Sequence, residues 1–146
     1  MKIWNSLTGR KEDFTIPGGG AVKMYVCGVT PYDTAHIGHA MSYIVFDVIR
    51  RYLEFRGYEV RHVQNFTDVD DKIIARAERL GVPAIELAQQ YVDSYLEEMD
   101  ALHVQRAHVY PRVTEEIPTI IDLIKSLEGR GFAYACLLYT SPSPRD

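Results

Sequence analysis

Apolar residues recur along this chain in two rhythms, and the switch between them outlines an α/β unit. The mainly apolar run from Ala21 to Val26 reads as a buried strand. From about Gly38 to Arg56, Met41, Ile44, Val45, Val48, Ile49, Tyr52 and Leu53 fall at helical spacing, and Gly57 stands where a C-terminal cap is expected. Tyr58 to Asn65 reads as a second strand. Strand, helix and strand within about forty residues predict a right-handed parallel crossover. Its ligand crevice should lie beyond the strand ends, where Cys27 and Thr67 fall. Helical rhythm then dominates. Val69–Leu80 is one predicted helix, and Pro83 suits the first turn of the next, which carries Leu87, Val92, Tyr95 and Met99. Thr114 is a candidate cap for a helix holding Ile117, Ile120, Ile121, Ile124 and Leu127, ended by Gly129 and Gly131. The Tyr91/Tyr95 and Ile120/Ile124 stripes are read as core. Phe132–Ala135 is expected to begin another strand. Upstream, Lys2–Asn5 is a candidate edge strand, Pro17-Gly18-Gly19-Gly20 is a breaker, and Trp4 is assigned packing alone.

Composition bounds the function classes. The 146 residues suffice for one domain with a core, and 47% hydrophobic with 25% charged residues is ordinary for a globular chain. A net charge of −4 argues against a surface that binds nucleic acid everywhere. Local basic patches such as Arg50-Arg51 and Arg56 to Arg61 stay available. No stretch resembles a spanning helix or a signal peptide, so no membrane association is expected. Two distant cysteines make no disulfide framework, and the default setting is a reducing cytoplasm.

The chemistry concentrates between Met24 and His39. His36 and His39 flank Ile37-Gly38 at the predicted helix start, where free backbone N–H groups and the helix dipole favour phosphate. Taken alone, such a pair is as readily a capping or surface feature. Cys27, a thiol one short loop away, could equally be a small buried hydrophobe. In Asn65-Phe66-Thr67-Asp68-Val69-Asp70-Asp71, Thr67 or Asp68 can cap a helix while Asp70 and Asp71 complement its dipole. The glycine and later glutamate of a calcium loop are missing.

These residues carry a resemblance. His36-Ile37-Gly38-His39 after a first strand resembles the signature of class I aminoacyl-tRNA synthetases. Cys27-Gly28, Tyr32-Asp33, Phe46-Asp47-Val48 and the run Val63 to Ile74 narrow it to the cysteinyl-tRNA synthetase family. The likeness runs from about Ile3 to Ala135. It departs where many members read Cys-Gly-Pro-Thr-Val-Tyr-Asp, since Val29 and Pro31 are exchanged here while Thr30 keeps its place. The resemblance implies the N-terminal half of a Rossmann-like (HUP-type) catalytic domain with part of a helical insertion. Residues 1–20 are then a lead-in, 21–82 the first half of the nucleotide-binding domain, and 83–135 the start of the insertion.

It also implies a reaction. Cysteine is joined to ATP, pyrophosphate leaves, and the cysteinyl group passes to tRNA(Cys). His36 and His39 would stabilise charge on the phosphate oxygens, within an ATP site of His36, Ile37, Gly38 and His39. Gly38 leaves room for the adenine or ribose. Cys27, Gly28, Thr30, Ser42, Asn65 and Thr67 would lie beside cysteine or its adenylate. Cys27 would be one of four zinc ligands, a metal whose preference for thiolate favours cysteine over serine. Its other three partners lie downstream in the family, beyond this chain. Mg2+ would accompany ATP. Asp68, Asp70 and Asp71 are read as structural. With the lysine loop, remaining zinc ligands and anticodon-binding helices missing, the chain alone is expected to be inactive. A lost partner strand should also leave an exposed sheet edge.

Residues 136–146 depart from the resemblance at a single position, and one back-translation of them resembles a sequencing-library adapter. They are expected to be non-native, a Ser/Pro tail being the alternative, and Cys136 carries no functional weight. Two other functions compete. One is a ligase joining cysteine to an amino sugar in mycothiol synthesis; the other is a short non-catalytic paralogue that binds nucleotide or tRNA.

Overall fold

The computed structural model describes residues 1–16 and 19–135. Pro17-Gly18 of the breaker and the whole 136–146 segment, Cys136 included, lie outside the described residues. The chain opens with an antiparallel hairpin of β1 (Lys2–Asn5) and β2 (Arg10–Asp13). The predicted lead-in strand is therefore paired, and its polar partner Arg10-Lys11-Glu12-Asp13 has no alternation that announces it. Trp4 is 59% exposed on this hairpin and does not serve the core.

The predicted crossover is present. β3 (Val22–Val26) pairs in parallel with β4 (Val60–Gln64) from Val22 opposite Val60 to Val26 opposite Gln64. Between them runs α1 (Ile37–Phe55). It ends because Gly57 takes a left-handed φ of 83° and donates to the Glu54 carbonyl at 2.9 Å, while the Tyr58 N–H reaches back to Leu53 at 3.1 Å. The other edge of β4 is not bare. Residues 108–113 run alongside it: Gln64 N–H donates to the Val109 carbonyl at 3.0 Å and Phe66 N–H to that of Pro111 at 2.9 Å.

α2 (Asp71–Leu80) and α3 (Ala84–Ala101) follow, and α4 (Val113–Gly129) closes the described chain. Two expected caps are reassigned. The N-cap of α2 is Asp70, whose carboxylate accepts the Lys72 N–H at 2.9 Å, and not Thr67 or Asp68. Asp68 instead serves α4, taking the Thr114 N–H at 3.0 Å and the Thr114 hydroxyl at 2.5 Å. Thr114 is thus capped rather than capping, with Arg112 at the N-cap position.

The core has three parts. Val26, Val29, Tyr43, Phe66, Val92, Tyr95 and Met99 join the strand ends to α1 and α3; Ile73, Ala77, Leu87 and Ala88 join α2 to α3; Val22, Leu53 and Val60 seat α1 on the sheet. The face that α1 buries is not the one its apolar spacing suggests. Tyr43, Asp47, Arg50 and Leu53 are buried, whereas Met41, Val45 and Val48 are each more than half exposed. Polar grips explain the choice. Asp47 accepts the Gln105 N–H at 3.0 Å, Arg50 donates to the Arg106 carbonyl at 2.8 Å, and Arg51 donates to that of His103 at 2.8 Å. These bonds fasten the loop after α3 to that face of α1.

The α4 stripe was expected in the core and is not there. No residue of α4 is buried, and Ile117, Ile120, Ile121, Ile124 and Leu127 are all exposed. Phe132–Ala135 forms no strand; Phe132 is exposed and its N–H returns to the Leu127 carbonyl at 2.9 Å. A strand needs a neighbour to pair with, and the described residues offer none there. No helix among them is long and apolar enough to cross a membrane.

Candidate active site

The start of α1 is built by its own histidines. His36 is the N-cap, with extended backbone at φ −115° and ψ 171°, and its Nδ1 accepts the Gly38 N–H at 3.1 Å. His39 completes a reciprocal pair, its Nδ1 accepting the His36 N–H at 3.3 Å. The two rings stack with centroids 3.8 Å apart and planes 15° from parallel. A neutral imidazole that accepts at Nδ1 carries its proton on Nε2. The hydrogen bonds therefore assign both rings the same tautomer and leave two Nε2–H donors free of the helix cap. Burial lowers the His39 pKa from its usual value, the neighbouring His36 lowers it further, and Glu98 opposes both. That shift favours the neutral form of His39, whose Nδ1 can accept. Gly38 is close against this pair: a Cβ there would meet Cε1 and Nδ1 of His36 at 3.0 Å.

A cleft of about 280 Å³ opens beside the stack. Thr30, His36 and His39 line it, together with Tyr32, Asp33 and Tyr95. Ile37 and Ser42 lie on the exposed surface of α1 and do not line this cleft.

Cys27, Gly28, Asn65 and Thr67 gather just outside it, where β3 and β4 end. The Asn65 Oδ1 accepts the Gly28 N–H at 2.8 Å and the Tyr25 hydroxyl at 2.9 Å, and its amide nitrogen donates to Thr67 Oγ1 at 3.4 Å. The Thr67 N–H donates to the Val29 carbonyl at 3.1 Å. Gly28 is required by contact: a Cβ would lie 1.5 Å from the Asn65 carbonyl oxygen. Cys27 is exposed rather than a buried hydrophobe, and its carbonyl accepts the Tyr43 hydroxyl at 3.1 Å. Burial pushes the Tyr43 phenol up to about 12, with Cys27 adding to the shift.

Tyr95 was read only as core. It is 4% exposed, yet it reaches the cleft floor from α3, with its hydroxyl accepting from the Gln64 amide at 2.6 Å. Helical spacing marks it as inward-facing but cannot say that the interior it faces is a cleft wall.

Zinc is the least supported of the expected groups. A protein-held zinc needs three or four ligands. Among the described residues no three His, Cys, Asp or Glu side chains converge, and Cys27 supplies one exposed thiol. The described residues do not make the metal site.

The family profile described as tRNA synthetases class I (C) catalytic domain matches residues 14–140. The chain belongs to this family. Its fold is accordingly the α/β, Rossmann-like N-terminal half of a class I synthetase catalytic domain. A protein named Cysteine--tRNA ligase from Dehalococcoides mccartyi (strain ATCC BAA-2266 / KCTC 15142 / 195) is 52% identical over 134 residues, which cover 92% of this chain and 29% of the relative. Another of that name, from Thermococcus kodakarensis, is 56% identical over 134 residues, covering 92% of this chain and 28% of the relative. The chain therefore spans just under a third of the length of these curated relatives. These names do not favour the amino-sugar ligase or the short binding paralogue. Among solved structures, Mycobacterium tuberculosis methionyl-tRNA synthetase in complex with methionyl-adenylate superposes with a TM-score of 0.68 at 25% identity, over 75% of this chain and 22% of that one. The ternary complex of Agrobacterium radiobacter K84 agnB2 LeuRS, tRNA and LeuAMS gives 0.65 at 22% identity, over 82% and 16%.

Proposed function

We propose that this chain is the N-terminal part of a cysteine–tRNA ligase and contributes its ATP and cysteinyl-adenylate subsites. The observation that carries the reading is the pair of Nε2–H donors at the α1 start, freed because each Nδ1 is committed to the helix cap. In the proposed reaction the cysteine carboxylate attacks the α-phosphorus of ATP and pyrophosphate leaves. Negative charge grows on the phosphoryl oxygens, and two fixed donors beside a helix N-terminus stabilise that charge without reorganising. Gly38 keeps the backbone open to the nucleotide. Cys27, Gly28, Asn65 and Thr67, at the strand ends, flank the proposed position of the cysteinyl group, with Thr30 on the cleft side. Ser42 is displaced from this grouping and Ile37 serves by backbone alone. Mg2+ bound with ATP would neutralise part of the phosphate charge. Transfer of the cysteinyl group to the 3′ end of tRNA(Cys) follows in the longer enzyme. The proposed compartment is the cytoplasm, where an exposed thiol such as Cys27 stays reduced.

The test is a titration of the 15N-labelled chain with ATP, with and without Mg2+. The amides of Gly38, His39 and Ala40 should shift first. His36→Ala and His39→Ala should each weaken binding about ten- to hundredfold, the worth of a hydrogen bond to a charged group. Shifts confined to another face, or unaltered affinity in both variants, would overturn the reading.

A further inference from the structure

The part of the cleft wall that leads into His36 poses a problem of support. Tyr32–Ala35 belongs to neither strand nor helix. Among the hydrogen bonds of the described residues, its backbone ties to the rest of the fold are few: Tyr32 N–H reaches only Thr30, at 3.0 Å, and Thr34 N–H reaches only the carboxylate of its neighbour Asp33, at 2.9 Å. Yet Tyr32 and Asp33 both face the cleft. Packing seats Tyr32 and Ala35 on the core, while the exposed Asp33 and Thr34 between them need a hold from outside the segment.

Arg76, on α2, meets that need. Its two terminal nitrogens fork onto the Asp33 carboxylate at 3.0 and 3.2 Å. The same guanidinium donates to the Tyr91 hydroxyl on α3 at 3.1 Å, and its carbon lies 5.7 Å from the centre of the Tyr91 ring. Tyr91 packs against the Ile73–Leu87 cluster that joins α2 to α3, as does Tyr32. One planar cation thus ties three pieces of chain together, and one of the two Asp33 oxygens it grips, Oδ1, also accepts the Thr34 N–H two residues before His36. Paired forks of this kind fix orientation as well as distance, which an ammonium does less well.

We infer that Arg76 is a positioning residue of the adenylate cleft: through Asp33 it sets the Tyr32–Ala35 wall, and so the approach of the nucleotide to His36 and His39. The inference rests on the proposed nucleotide role of this cleft for its functional meaning, and on geometry alone for the clamp. Displacements near 1 Å in a positioning wall can lower reactivity by about two orders of magnitude.

The experiment separates the clamp from the function. In the 15N-labelled chain without nucleotide, Arg76→Gln should shift or broaden Thr34, Ala35 and His36 amides and move the imidazole nitrogens of His36, while core signals of Ala88 and Val92 hold. Asp33→Asn, at an exposed position, should give the same pattern, and the double variant should add little to either alone. Unchanged wall signals, or additive effects, would overturn the clamp whether or not ATP binds. ATP affinity is read next. About a tenfold loss in Arg76→Gln, with partial recovery in Arg76→Lys, supports the positioning role. Wild-type affinity in Arg76→Gln despite a moved wall refutes it. Absence of ATP binding in the unaltered chain counts against the proposed function and leaves the clamp to the nucleotide-free spectra.

Discussion

Replacing Gly28 with alanine tests the joint between the two strand ends. Gly28 does not have a left-handed φ, so alanine is conformationally acceptable there. The obstacle is contact: the new Cβ would stand 1.5 Å from the Asn65 carbonyl oxygen and 2.7 Å from its carbon, both backbone atoms. To reach even the 3.0 Å below which real Cβ contacts are essentially never seen, β3 and β4 must part by about 1.5 Å at their ends. That movement also removes the 2.8 Å bond from Gly28 N–H to Asn65. Overpacking is worth about 1–3 kcal/mol and the lost bond about 1 kcal/mol, so the expected destabilisation is about 2–4 kcal/mol. Urea unfolding of the chain, followed by far-UV circular dichroism, measures it. Gly57→Ala is the comparison: φ is 83° and no atom lies within 4 Å, so only backbone strain of about 1–2 kcal/mol applies. If Gly28→Ala is as stable as Gly57→Ala or more so, contact at the strand ends is not what demands glycine.

Acidification below about pH 6.5 should weaken the fold. Burial depresses the folded pKa of His39 and of His62 below the 6.5 of the free side chain, and Arg50 and then His108 depress His62 further against the pull of Asp47. A depressed folded pKa gives stability that is present above the unfolded value and lost as pH falls through the folded one. The urea midpoint should therefore drop on acidification and flatten in a His39→Gln/His62→Gln chain; a flat wild-type profile would refute this. Asp68→Ala should strip α4 of its distant cap and weaken its first turn by about 1–2 kcal/mol, seen as faster amide exchange at Thr114–Ile117 with α2 unchanged.

What could be read ahead was local. The crossover followed from one strand, one helix and one strand with Gly57 as a stop, and the histidines sat at the helix start that the spacing indicated. What could not be read was decided across distance. Asp68 looked like a cap for the helix just after it and instead caps α4, forty-six residues on. The apolar stripe of α1 promised burial, but Asp47, Arg50 and Arg51 bind a loop after α3, and that loop selects another face. The isoleucines of α4 are spaced as a core face, with no neighbour among the described residues to form one. Tyr95 was legible as inward-facing, while its place on the cleft floor depended on where α3 lies against the strand ends. Spacing reports which side chains share a face; only the assembled chain says what that face meets.

The parallel pairing of β3 with β4 has a consequence in time. A hairpin strand meets its partner almost as soon as it is made, as β1 does with β2. Val22 must wait for Val60, with all of α1 in between. At translation rates of about 5–20 residues per second, β3 exists for about 2–8 s before its partner has been synthesised. During that interval α1, which can wind within microseconds, is the one element between the two strands that can cover it. The birth order of this crossover is therefore helix before parallel pair, and mutations that weaken α1 should reduce the yield of folded protein during synthesis more than they lower the stability of the finished chain.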